Sequence, residues 1–198
     1  MPLRFQLFIL SAFLTIATFD CFGQEPSNNG RRTGRLLTKN EMEKEAIRAT
    51  QTLQEAINLM MDMGRSKKGV WDESMERQLN IILDDFLPEA TIVESNCING
   101  VPQNGPPKSI RRYLMRMFKK SGEKEFVIHF GHPQIDPNNG NNWLEYKVNV
   151  DFWQSYDSAT YDDDTLKQVR VIFQPIGNNH YKVYLGNISV LKTICGRK

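Results

Sequence analysis

Histidine, aspartate and lysine/arginine clusters are the residues of this 198-residue chain whose types and spacing could do chemistry. The histidines are His129, His132 and His180, and no two have the spacing of a metal site. No Ser-His-Asp arrangement is legible in their order. His129 sits in "FVIHF" on the opposite parity from Phe126, Ile128 and Phe130, so it reads as a strand histidine facing away from the core. His132 precedes Pro133 and leads toward a turn, and His180 opens a strand beside "GNN". "DPNNGNN" and "YDDDT" are oxygen-rich enough to raise calcium, but neither keeps the spacing and closing glutamate of an EF-hand loop. Both read as hairpin turns. No metal and no cofactor are expected. Lys108, Arg111, Arg112, Arg116, Lys119 and Lys120 give one predicted helix a basic face, which could meet an anionic ligand or acidic lipids. A solvated helix face is the simpler account. Asn187-Ile188-Ser189 matches a glycosylation sequon, in a strand context that suits it poorly.

The start of the chain gives an address. One arginine precedes the apolar run Phe5 to Phe19, and Cys21-Phe22-Gly23 supplies small residues before Gln24. This predicts a signal peptide over residues 1–23, export to the periplasm or the extracellular space, and a flexible leader over 24–37. A transmembrane anchor is the alternative, but the apolar run is short of the roughly 20 residues a span needs. Lipidation at Cys21 is another, and only then is a membrane partner expected. The remaining cysteines, Cys97 and Cys195, are an even count for an oxidising compartment and are candidates for one disulfide. A formal net charge of +2 argues against a dedicated nucleic-acid binder.

The apolar residues then divide residues 38–198 into elements. Met42, Ala46, Ala49, Leu53, Ala56 and Met60 repeat at three-four spacing, which predicts a helix capped near Thr38 or Asn40 and ending at Gly64. A second helix begins near Asp72, carries Met75, Leu79, Ile82, Leu83 and Phe86 on one side, and stops at Pro88. "ATIVES", Ala90 to Ser95, is a short strand, and "NGVPQNGPP" is a loop with Pro106 or Pro107 suited to open a third helix. That helix places Ile110, Leu114, Met117 and Phe118 together. Four alternating strands follow. In the clearest, Leu144, Tyr146, Val148, Val150 and Phe152 face one way. In the next, Val169, Val171 and Phe173 do so. In the last, Tyr181, Val183 and Leu185 share a face, and the phase changes at Gly186, as at a β-bulge. The fold class is therefore α+β: a curved antiparallel sheet wrapped around three helices in one cone-shaped, cystatin-like domain.

This order, with "FLPEATIVES" followed by "NGPPKSIRRYL", resembles the nuclear transport factor 2 / ketosteroid isomerase-like superfamily, which includes SnoaL-like domains. The resemblance covers roughly Glu41 to Ile194. It implies a ligand pocket inside the cone and a general base at the end of the first strand. That position is Ser95 here, and a serine hydroxyl without a base cannot take a proton from carbon. Neighbouring strand residues point to opposite faces, so Glu94 is expected outside if Ser95 is inside. The resemblance also implies a last strand running antiparallel beside the first. A hairpin through "CINGV", turning at Asn99-Gly100, would then bring Cys97 to Cys195.

No catalytic residue is assigned. The pocket candidates are Ser95, Tyr113, Leu114, Tyr146, Val148 and Tyr181, with Glu94 and His129 to be considered if the facing is inverted. The expected role is non-catalytic binding of a small apolar or amphipathic ligand, or of a protein partner. The resemblance implies homodimers formed through the outer sheet face, where Lys147, Asn149, Trp153, Arg170, Ile172, Lys182 and Tyr184 mix charge with aromatic surface. An isomerase or dehydratase-like lyase is the alternative.

Overall fold

The structure is a computed structural model. It describes residues 37–123, 125–140, 142–156, 161–176 and 180–196. The predicted signal peptide with Cys21, the leader apart from Leu37, and the turn "GNN" lie outside the described residues.

The first helix, α1 (Lys39–Lys67), starts at a capping box. The Thr38 hydroxyl accepts from the Glu41 amide, and the Glu41 carboxylate accepts from the Thr38 amide at 2.9 Å. It does not end at Gly64. That glycine lies inside the helix because a Cβ there would stand 2.1 Å from the Phe118 carbonyl oxygen. The end comes at Lys68, which is left-handed at φ 51°. Asp72 caps α2 (Glu73–Leu83), which stops before the predicted Pro88.

"ATIVES" is not one strand. It divides into β1 (Thr91–Ile92) and the start of β2 (Ser95–Ile98), with Val93 and Glu94 in neither. β2 turns back into β3 (Val101–Asn104). Asn99 and Gly100 sit at the tip with φ 52° and 77°, the two positive values a type I′ turn requires. Lys108–Ser109 forms β4, so neither proline opens α3 (Ile110–Glu123). The remaining strands are β5 (Phe126–Phe130), β6 (Gln134–Ile135), β7 (Glu145–Tyr156), β8 (Tyr161–Pro175) and β9 (Tyr181–Cys195).

One seven-stranded sheet runs β4-β1-β9-β8-β7-β5, with β6 also on β7, while β2–β3 forms a separate ribbon. The sheet is mixed rather than antiparallel, because β1 pairs β9 in parallel through Ile92 and Ile188. This corrects the expected antiparallel neighbour and explains the disulfide more simply. From that parallel pair both chains run the same way, so Cys97 and Cys195 arrive together with Cα atoms 5.6 Å apart. The predicted bulge is present, since β8–β9 pairing shifts between Val169 and Val171, opposite Gly186, and shifts again between Leu166 and Lys167. Bulges bend the strands around the helices.

The parity read from the sequence holds. Tyr146, Val148, Val150, Phe152, Val169, Val171 and Phe173 are all buried, against Met42, Leu53, Ile57 and Met60 of α1 and Leu114 and Phe118 of α3. Each such side chain contributes about 1.5–3 kcal/mol by leaving water. The three helices and curved sheet are the α+β arrangement that the resemblance implies.

Candidate functional site

One end of this interior is not apolar. β8 keeps strict alternation, so the face that carries Val169 and Val171 also carries Asp163, Thr165 and Lys167. Their exposures are 0%, 0% and 1%. "YDDDT" is therefore the start of a strand and not a hairpin turn, which corrects that expectation. Lys167 Nζ donates to the Val93 carbonyl oxygen at 2.7 Å and stands 5.3 Å from the Phe152 ring centroid. The Gln154 amide donates to Asp163 Oδ1 at 3.2 Å.

Glu94 enters from the opposite side. Val93 and Glu94 follow a break in the strand, so strand parity does not apply to them, and Glu94 and Ser95 are both buried. The expectation that Glu94 faces outward is thus corrected. One oxygen of Glu94, Oε2, accepts from Lys108 of β4 and from Arg116 of α3, the latter at 2.5 Å. Ser95 Oγ accepts from the Thr193 hydroxyl at 2.6 Å, and Thr193 lies 3.4 Å from the Thr165 hydroxyl. Tyr113 of α3 is 2% exposed and close enough to Glu94, Arg116 and Asp163 for their charges to act on it. The Cys97–Cys195 disulfide fastens the β2–β3 ribbon at this end, beyond Ser95 and Thr193.

The electrostatics follow from burial. Desolvation pushes the Tyr113 phenol well above its ordinary range, and Glu94 adds to it. Desolvation lowers Lys167 to about 8, against the attraction of Asp163 and Glu94. Lys120 is lowered too, first by burial and then by repulsion from Arg116. Among the described residues, cations outnumber carboxylates in this cluster: Lys108, Arg116, Lys120 and Lys167 stand against Glu94 and Asp163. Buried charge of this density needs a partner or a purpose. Among the described residues, no three His, Cys, Asp or Glu side chains converge as a metal site would require.

No protein-family profile and no curated protein matches the chain. Among solved structures, similarity extends to the epoxide hydrolase/cyclase-like enzyme SalBIII, tied to pyran ring formation in the polyether salinomycin. That match has 13% identity, covers 78% of this chain and 94% of that one, and has a TM-score of 0.35. A protein bearing the name of scytalone dehydratase, from Novosphingobium aromaticivorans, is similar at 12% identity over 76% of this chain and 91% of that one, with a TM-score of 0.32. Similarity of this degree carries nothing about chemistry or site residues.

The predicted pocket residues do not meet in one place. Ser95 and Tyr113 belong to the charged end. Leu114 and Val148 are ordinary core residues. Tyr146 lies toward the opposite end of the sheet, edge-on to Phe173, and lines a depression of about 390 Å³ with Trp143 and Asp136. Tyr181 packs edge-on against Trp143. Asp163, Thr165 and Lys167 are buried site residues that the sequence reading did not single out. Their signal was the same alternation that identified Val169 and Val171, continued three positions of that face toward the N-terminus. His129 is exposed and stacks on Trp153, as an outward strand residue would.

Proposed function

We propose that the chain is an exported, non-catalytic binding protein for an amphipathic ligand with an anionic head, taken at the charged end beside the disulfide ribbon. The carrying observation is the excess of cations around Glu94. Two of them share a single carboxylate oxygen. A ligand carboxylate or phosphate would compete with Glu94 for Arg116 and Lys108 and relieve the repulsion felt by Lys120. Arg116 is reachable for this role, with a side chain 40% exposed.

Binding without turnover is favoured by how the acid–base groups are engaged. Glu94 is clamped by two cations, the Lys167 amine is held by a backbone carbonyl, and the expected base position is a serine whose oxygen accepts from Thr193. A lyase or isomerase is the second reading. It is favoured by Asp163 and Tyr113 lying within electrostatic reach of one another in a desolvated interior. The disulfide supports an oxidising compartment.

Isothermal titration with decanoate, decyl phosphate and decyltrimethylammonium tests the reading. The two anions should bind saturably and the cation should not, and Arg116→Gln should weaken the anions about tenfold, the effect of losing one charge-assisted contact. Equal binding of all three amphiphiles, or no effect of Arg116→Gln, would sink it.

A further inference from the structure

A second concavity lies elsewhere on the molecule and differs in chemistry. α1, the end of α2 and the start of β9 enclose a groove of about 300 Å³. Ala49, Ala56, Ile82, Phe86, Val183 and Leu185 contribute its apolar surface, and the partly exposed Leu59 and Ile81 stand at its lips. The floor is held by backbone bonds rather than by packing alone. The Leu87 amide donates to the Leu185 carbonyl oxygen at 2.9 Å, and the Leu185 amide donates to the Asp85 carbonyl oxygen at 2.8 Å.

The charged residues along this groove are of one sign, and Thr52 is its one neutral polar residue among those described. Glu45, Glu55, Asp84 and Asp85 line it, and among the described residues no lysine, arginine or histidine does. Glu45 has a cation nearby, Arg48 at 3.7 Å. Glu55 and Asp84 are exposed and take part in no side-chain hydrogen bond or ion pair among the described residues. From Glu45 to Leu59 the groove follows α1 for about 20 Å at the helical rise per residue, the length of a short docked helix.

The geometry points to a docking site for a basic amphipathic helix of another protein. Its apolar side would enter between α1 and α2, and its lysines or arginines would face Glu55 and Asp84. Side chains at helical spacing would fill the floor in the manner of helix-in-groove recognition. The carboxylates on both walls would select a cationic partner and speed encounter at low salt. This site is independent of the one beside the disulfide ribbon and of any ligand bound there.

The test uses the chain from Gln24 onward and two fluorescein-labelled synthetic helices of about 18 residues, about 27 Å of helix and so long enough to cover the groove. One carries leucine at helical spacing with lysine elsewhere, and the other has glutamate in place of lysine. Anisotropy should show saturable binding of the lysine peptide alone, weakening with added salt. Glu55→Lys with Asp84→Lys should lower that affinity at least about tenfold while leaving the thermal melt unchanged, because both side chains are exposed. Binding of both peptides alike, or of the lysine peptide to the doubly substituted chain with unchanged affinity, would overturn the site. So would a lysine peptide that binds only after Arg31, Arg32 and Arg35 are replaced by serine, since the chain's own segment would then be the occupant.

Discussion

Lys167 is the residue on which the energetics of the charged end turn. Its ammonium is 1% exposed, donates to the Val93 carbonyl oxygen and faces an aromatic ring, so its charge is stabilised by few groups and by no bulk water. Its proton affinity falls to about 8 on folding. Between that value and the ordinary lysine range the unfolded chain holds a proton that the folded chain has released, so stability rises with pH in this window. Below it both states are protonated and the penalty of burying the charge is fully present. The lowered Lys120 acts with the same sign, and the raised Tyr113 acts with the opposite sign above about pH 10. Urea unfolding at pH 7.5 and 9.5 should show the wild type gaining stability, of order 1–2 kcal/mol from Lys167. Lys167→Met should lose that gain, and an unchanged pH dependence would show that the amine is not desolvated as described. A second residue-scale test concerns facing. Val148 is fully buried, so Val148→Asp should cost more than about 3 kcal/mol by burying a charge, while Asn149→Asp on the other face should cost less than about 1 kcal/mol. Equal losses would invert the sheet. Lys167 was legible in principle: it sits on the parity of Val169 and Val171, and a lysine on an apolar face is a signal that composition alone hides.

At the scale of elements, close contacts and the ribbon decide how the site is held. α1 and α3 approach so nearly that a Cβ on Gly64 would stand 2.3 Å from Ser121 Oγ as well as against the Phe118 carbonyl, and one on Gly122 would stand 2.1 Å from the Gly69 nitrogen. Gly64→Ala should therefore lower the melting temperature more than a helix-favouring substitution would suggest, by several degrees. A melt equal to or above wild type would mean that the helices lie further apart. The β2–β3 ribbon is joined to β9 by the disulfide, and cross-linking residues 98 apart in sequence restricts the unfolded chain strongly. Cys97→Ser with Cys195→Ser should cost about 2–4 kcal/mol in unfolding experiments. No loss, with free thiols in the wild type, would refute the bridge. Asn99-Gly100 announced this turn in the sequence because few residues besides Asn and Gly accept two successive left-handed conformations. The two-residue strands β4 and β6 were not legible, since two residues carry no periodicity; β1 was read only as part of a longer strand, and its parallel pairing with β9 is fixed only once α2 delivers Phe86 beside Leu185.

For the whole molecule, local patterns sufficed for three helices and four long strands, because each buries a face whose period is visible within ten to fifteen residues. The site needed more. Glu94 lies in a strand break, Lys108 in a two-residue strand, Arg116 on a helix, Asp163 and Lys167 on β8 and Thr193 on β9, and only the closed tertiary structure brings them together. Export belongs to this scale too. The intact mass of the chain recovered from a periplasmic or culture fraction should begin at Gln24, and one retaining Met1 or carrying lipid on Cys21 would contradict the address. The most direct test of the binding site itself is amide NMR on the uniformly labelled protein titrated with decanoate. The account predicts saturable shifts at Ser95, Arg116, Thr165, Lys167 and Thr193, with Ala49, Glu55 and Ile81 of the separate groove left in place. Shifts confined to that groove, or none at the charged end up to the solubility of decanoate, would contradict it.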